Sequence, residues 1–208
     1  EMLRSLVGSE MCIRDSEGVD NFTVNDNADQ VIQERAALHA EAWVEQINGM
    51  LSKALSANAS KTLTGNLDEE GVIKTFNEAS KIFLNNKVAK GVPRVAYVNA
   101  DVYNFLVDSK LALTSKNSTV NIDGNEYRVF KNFILDELPD DYFQKGENIV
   151  FAADNVGVAG VGIEIYRMLD SEDFAGVAIQ SAAKFGKYIP EKNKKAILKA
   201  KLTQKVAA

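Results

Sequence analysis

Residues Val92–Leu106, VPRVAYVNADVYNFL, decide how the rest of the chain is read. A short apolar run over Arg94–Val98 predicts a strand. It stops at Asn99-Ala100-Asp101, where a side chain can cap a helix. The apolar periodicity of Tyr103, Phe105 and Leu106 then predicts a short helix from Asp101 to Ser109. No catalytic or metal-binding constellation falls inside this strand-cap-helix unit, so it is architecture rather than chemistry.

Working outward toward the N-terminus, a helix opened by Asp68-Glu69-Glu70 is expected just upstream. Acidic groups there complement the positive end of the helix dipole. Its stripe is Val72, Ile73, Phe76, Ala79, Ile82, Phe83 and Val88, and Gly91-Val92-Pro93 ends it. Ser56–Asn66 is small and polar and is expected to be a linker. Before it, Asp29–Ala57 carries Leu38, Trp43, Val44, Ile47, Met50, Leu51 and Leu55 at helical spacing, which predicts one long amphipathic helix. Asp26 or Asn27 is the expected cap, and Glu17–Asn27 the expected irregular lead. Residues 1–16, EMLRSLVGSEMCIRDS, resemble the translated read-through of a sequencing adapter and are left out of the fold expectation. The charged residues Arg4, Glu10, Arg14 and Asp15 interrupt any apolar run of signal-peptide length. The genuine protein is then expected to begin upstream, making this chain a C-terminal fragment.

Toward the C-terminus, Thr119–Ile122 and Glu126–Phe130 flank Asp123-Gly124-Asn125, a hairpin signal. Leu138-Pro139-Asp140-Asp141 predicts a turn, and Asn148–Ala153 a buried strand. Val156–Gly162 predicts a loop or irregular strand, Ile163–Tyr166 an alternating strand and Phe174–Ala183 another, with Lys184–Ile189 its continuation or a turn. Strands in this half do not alternate with helices, so an α+β fold is expected.

The chain has 208 residues, a formal net charge of −5 and 46% hydrophobic residues, enough to bury a core without disulfide or metal support. Its one cysteine, Cys12, lies in the adapter-like segment, which removes disulfide frameworks, zinc-cysteine sites and thiol catalysis from consideration. The charge is uneven: Lys184–Ala208 holds eight lysines against one glutamate. No apolar stretch is long enough to span a membrane.

Each chemical motif has a plainer reading. His39 is the only histidine and lacks a second ligand, so it is an ordinary helical residue. Gly157, Gly160 and Gly162 stand in the wrong order for a dinucleotide fingerprint, and a strand follows them. Phe185-Gly186-Lys187 lacks the glycine-rich lead of a phosphate loop. Asp136, Glu137, Asp140 and Asp141 could offer carboxylates to a hard cation but lack calcium-loop spacing, which makes them a solvated turn. The lysine-rich end contains no arginine, so a solvated end is expected, with non-specific nucleic-acid contact as the alternative. No nucleophile, base and orienter assemble from the sequence. Catalytic, cofactor-binding and metal-ligating residues are therefore all expected to be none, and the chain is expected not to be an enzyme. An α+β hydrolase or transferase of unrecognised type is the rival reading.

The order of these blocks, long helix, second helix, VAYVNADVYNFLVDS, hairpin, NIVFAADNVGVAG and FAGVAIQSAAKFGKYIPEKNKKAIL, resembles the major capsid (coat) protein of tailed bacteriophages, a fold shared with encapsulin shells. The likeness covers about 29–201. It implies a spine helix of the peripheral domain plus linker (17–66), an axial domain (67–160), and return strands to the peripheral domain with a basic tail (161–208). The family's N-terminal arm and extended loop are missing from this plan. The function it implies is a structural subunit of an icosahedral shell enclosing a viral genome, located in the virion and assembled in the host cytoplasm. Its implied partners are copies of itself in hexamers and pentamers, with scaffolding and portal proteins and packaged DNA as further contacts, no membrane and no cofactor. An encapsulin-like compartment and a nucleic-acid-associated protein with a lysine-rich tail are the alternatives.

Overall fold

The computed structural model describes residues 11–89, 91–109, 111, 119–122, 125–170 and 175–204. The order of elements is β1 (Met11–Asp20), α1 (Asn21–Ala57), β2 (Lys61–Asn66), α2 (Glu69–Asn85), β3 (Arg94–Val98), α3 (Ala100–Asp108), β4 (Thr119–Ile122), β5 (Asn125–Phe130), β6 (Phe133–Glu137), β7 (Ile149–Ala153), β8 (Val158–Asp170), β9 (Gly176–Tyr188) and β10 (Ile197–Thr203). The fold is α+β, as expected. Two compact units are distinguished: residues 1–51 with 158–188, and residues 52–157 with 189–208.

The second unit holds a seven-stranded mixed sheet ordered β2-β10-β7-β3-β6-β5-β4. β3 is interior, antiparallel to β7 and parallel to β6. Its neighbour β7 is buried along its whole length, which explains the unbroken apolar run Ile149–Ala153. The helix α2 covers one face. Val72, Phe76, Ala79 and Phe83 recur at helical spacing and are fully buried. Phe76 meets Phe130, Phe133 and Phe151 edge-on, with ring centroids 5.0, 5.8 and 5.0 Å away. Edge-to-face contacts of this kind add to plain apolar burial. Asp68 caps α2 by accepting from the Gly71 N–H at 2.7 Å. Gly71 itself has no room for a side chain, since a Cβ there would lie 2.3 Å from the Asn66 carbonyl oxygen. Asn99 caps α3 through the Val102 N–H at 3.2 Å.

The first unit is a three-stranded antiparallel sheet ordered β1-β9-β8, together with α1 as far as Leu51; the end of the helix, Ser52–Ala57, belongs to the second unit. β9 alternates as a half-buried strand should: Ile179, Ser181, Ala183 and Phe185 face in.

Several expectations are corrected. The adapter-like segment contributes to the fold, because Met11–Ser16 pairs with Gln180–Phe185, and Glu17–Asp20, expected to be irregular, completes the same strand. Main-chain pairing asks little of side-chain identity, so a strand formed where composition gave no signal. The long helix starts at Asn21 rather than at Asp29. Its supposed single stripe divides, since Leu38 and Val44 are 52% and 57% exposed. They stand six residues apart, which turns them away from one another around the helix. The expected linker contains β2, parallel to β10. β6 gave no signal of its own. It follows β5 through Lys131-Asn132, both with positive φ (51° and 66°), a tight hairpin turn made without the usual glycine. Of the alternatives left open for Val156–Gly162 and Lys184–Ile189, the irregular strand and the continuation hold: Val158–Asp170 is one strand with an irregularity between Val161 and Ile163, and β9 runs on to Tyr188. The hairpin residues Asp123 and Gly124 lie outside the described residues.

Candidate functional site

The residues singled out in the sequence do not converge on one centre. His39 is buried on α1. Its Nδ1 lies 3.3 Å from Ser181 Oγ, and its Nε2 lies 3.3 Å from Glu17 Oε2 and 3.6 Å from Asp15 Oδ2. Glu17 also pairs with Arg35 at 2.8 Å. A hydroxyl, an imidazole and a carboxylate therefore do meet, although the sequence offered no such assembly. Ser181 sits on the packed side of β9, only 4% exposed, so the arrangement ties β1, α1 and β9 together by polar contacts. Trp43, Tyr166 and two alanines of α1 line a cleft of about 230 Å³ beside it. Among the described residues, no group of three or more His, Cys, Asp or Glu is placed to hold a metal ion.

Of the glycines in the failed dinucleotide motif, Gly160 and Gly162 lie in the extended strand β8 and Gly157 in the bend before it. Gly160 pairs with Gly186 across β8 and β9, and a Cβ on either would meet nothing within 4 Å. Phe185-Gly186-Lys187 is likewise plain strand. Phe185 is buried, and Lys187 Nζ reaches the Met50 carbonyl at 3.5 Å.

The lysine-rich stretch, expected to be a solvated end, is not an end in structural terms. Lys184 and Lys187 belong to β9. Lys192, Lys194 and Lys195 lie in a 3₁₀ turn, and Lys199 and Lys201 belong to β10. β10 is an interior strand between β2 and β7, with Ile197, Leu198, Ala200 and Leu202 buried. The alternation of lysine with apolar residues there marks a half-buried strand, which charge counting concealed.

Two polar clusters, one buried and one half-buried, were not visible as pairings in the sequence. The Glu147 carboxylate is 1% exposed and takes Lys199 Nζ at 2.8 Å and the Ser56 hydroxyl. Burial alone would push this carboxyl up. The ammonium, the hydroxyl and a backbone hydrogen bond at Gln144 outweigh it and hold the group below the ordinary glutamate value. Asp136 stands opposite Tyr97 across β6 and β3. Burial raises both, and the charges of Asp136 and Asp154 raise the Tyr97 phenol further. Asp140, a neighbour in the acidic turn, accepts from Asn99 Nδ2 at 3.1 Å and so helps position the cap of α3. These partners lie tens of residues apart in the chain, which is why no local pattern revealed them.

Apolar side chains crowd the edge strand β8. Val158, Ile165, Tyr166, Met168 and Leu169 are 71%, 50%, 44%, 48% and 43% exposed. Among the described residues the strand pairs on one side only, with β9. A long exposed edge of this kind is a pairing surface unless something covers it.

No family model and no curated protein sequence matches the chain. Solved structures do. The capsid of the cyanophage P-SCSP1u superposes with a TM-score of 0.64 at 8% identity, over 93% of this chain and 72% of that one. The mature capsid of bacteriophage PhiM1 gives 0.59 at 12% identity, over 93% and 71%. The SrpI encapsulin of Synechococcus elongatus gives 0.62 at 11% identity, over 93% and 74%.

Proposed function

We infer, from a chain that has the fold of tailed-phage capsid proteins and encapsulins, that it is a structural subunit of an icosahedral bacteriophage capsid shell. The observation that carries this reading is the superposition on capsid chains along 93% of its length. Buried polar clusters that bind elements together, and apolar side chains left exposed on an edge strand, support a role exercised through surfaces rather than through a reaction. A shell subunit needs a rigid core and surfaces that repeat under symmetry.

In this reading α1 is the spine helix. The unit containing β1, β8 and β9 is the peripheral domain, and the seven-stranded unit is the axial domain, now taking in β2 and β10, which the resemblance had assigned to the peripheral side. Copies of the chain are its principal partners, in hexamers and pentamers. Scaffolding and portal proteins and packaged DNA are further ones. Superposition on the SrpI encapsulin supports a second reading, a compartment shell loaded with protein instead of genome.

Electron microscopy and sedimentation of the purified chain test the proposal. Hollow particles of uniform diameter are the expected result, and a product that stays monomeric at every concentration overturns it. Particles retaining nuclease-protected DNA favour the phage reading, whereas particles enclosing only a co-expressed enzyme favour the compartment.

A further inference from the structure

The acidic turn and the lysine-rich stretch, separate features in the sequence, occupy opposite ends of the seven-stranded sheet. Strand directions fix this. β2, β3, β6 and β10 run one way, and β7 runs against β3 and β10. At the end where β2 and β6 finish stand Asp68, Glu69 and Glu70, then Glu137, Asp140 and Asp141. At the end where β3, β6 and β10 start stand Lys87, Arg94, Lys131, Lys192, Lys194 and Lys195. Most of these side chains are exposed. Among the described residues the opposing charges are few: Lys74, which shares a recess with Asp68 and Glu70, and Lys145 and Lys201 toward the first end, Asp154 and Glu191 at the second, with Glu191 paired to Lys194.

We propose that these two ends form a head-to-tail contact between copies of this chain, the acidic end of one docking the basic end of the next. The proposal rests on the shell-subunit reading and names one of its contacts. Charge disposition selects the geometry. A two-fold contact made end-on, through one end alone, would set acidic against acidic or basic against basic, and like charges juxtaposed across an interface are unfavourable. A heterologous contact pairs opposite signs and closes into a ring when the rotation permits. A polyanion such as DNA fits the basic end alone and leaves the acidic end without a role.

Charge-reversal complementation tests this. One variant carries Glu137→Lys and Asp141→Lys, a second carries Lys192→Glu and Lys195→Glu, and a third carries all four. Circular dichroism establishes that each is folded. Sedimentation then follows association as the screening length falls from about 30 Å at 0.01 M salt to about 3 Å at 1 M. The wild-type chain should associate, and high salt should weaken it. Each two-site variant alone should associate at least about tenfold more weakly, a loss of about 1.4 kcal/mol. An equimolar mixture of the two, and the four-site variant alone, should recover. Two-site variants that form particles as readily as wild type overturn the charged contact and leave the shell reading standing. Folded variants that fail to recover on mixing overturn it as well. A basic-end variant that loses only its binding to short duplex DNA overturns it in favour of nucleic acid. A wild-type chain monomeric at low salt overturns both readings.

Discussion

At the residue scale, Glu147 shows how a buried charge can be kept ionised. The carboxylate is removed from water, yet Lys199 and Ser56 supply two charge-assisted or polar hydrogen bonds. Glu147→Gln keeps the shape and leaves Lys199 without its counter-ion. The expected cost lies toward the low end of the roughly 3–5 kcal/mol seen for broken buried pairs, because Lys199 retains some access to water. The pH dependence has a definite sign. The folded pKa is depressed, so the carboxylate contributes stability above its unfolded value of about 4.3, and that contribution is lost as pH falls through the lower folded value. Urea unfolding midpoints measured from about pH 7 down to about pH 3 should fall steeply at the acid end for wild type and less steeply for Glu147→Gln. Equal acid slopes would show that another group dominates.

At the element scale, α2 shows what a single periodic stripe can specify. Its apolar positions were legible because a helix covering one face of a sheet repeats every 3.6 residues. All of Val72, Phe76, Ala79 and Phe83 are buried where that period puts them. Phe76 is the centre of the packing, touching three other phenylalanines. Phe76→Ala should destabilise by about 3–5 kcal/mol, and Phe76→Leu by clearly less, as followed by thermal or urea denaturation. Strands were harder to read. β7 announced itself by a continuous apolar run. β6, with only five residues and a Lys-Asn turn, did not, and β10 was masked by its lysines. A strand buried on one face and charged on the other looks like a solvated tail when only charge is counted.

At the scale of the whole molecule, an adapter-like sequence supplies part of β1. Met11–Ser16 pairs with Gln180–Phe185, so deleting residues 1–16 removes the backbone partner of that part of β9. Hydrogen exchange should rise at those amides of Gln180–Phe185 that point toward β1, while the ones facing β8 and those in Ile197–Thr203, which belong to the other unit and pair with β2 and β7, stay unchanged. Unchanged exchange in β9 would show that β1 is not held there in solution. The lysine-rich stretch illustrates the same scale. The sequence grouped its charges as one block, whereas the fold divides them between the two units and sets some of them at the opposite end of a sheet from the acidic turn.

By itself, the sequence determined the α+β class, the strand-cap-helix at Arg94–Asp108, the amphipathic face of α2, the buried run of β7 and the resemblance of the whole order of blocks to capsid proteins. All but the resemblance, which rests on the order of the blocks, depend on neighbours within a turn or a strand, where periodicity and capping chemistry act directly. Only the tertiary structure decided which strands lie side by side, that β10 is interior, that Glu147 meets Lys199 and Ser56, and that the two charged segments face opposite ways. Those outcomes depend on strand order and direction, which are set by burying several faces at once, and no local window of residues contains that information.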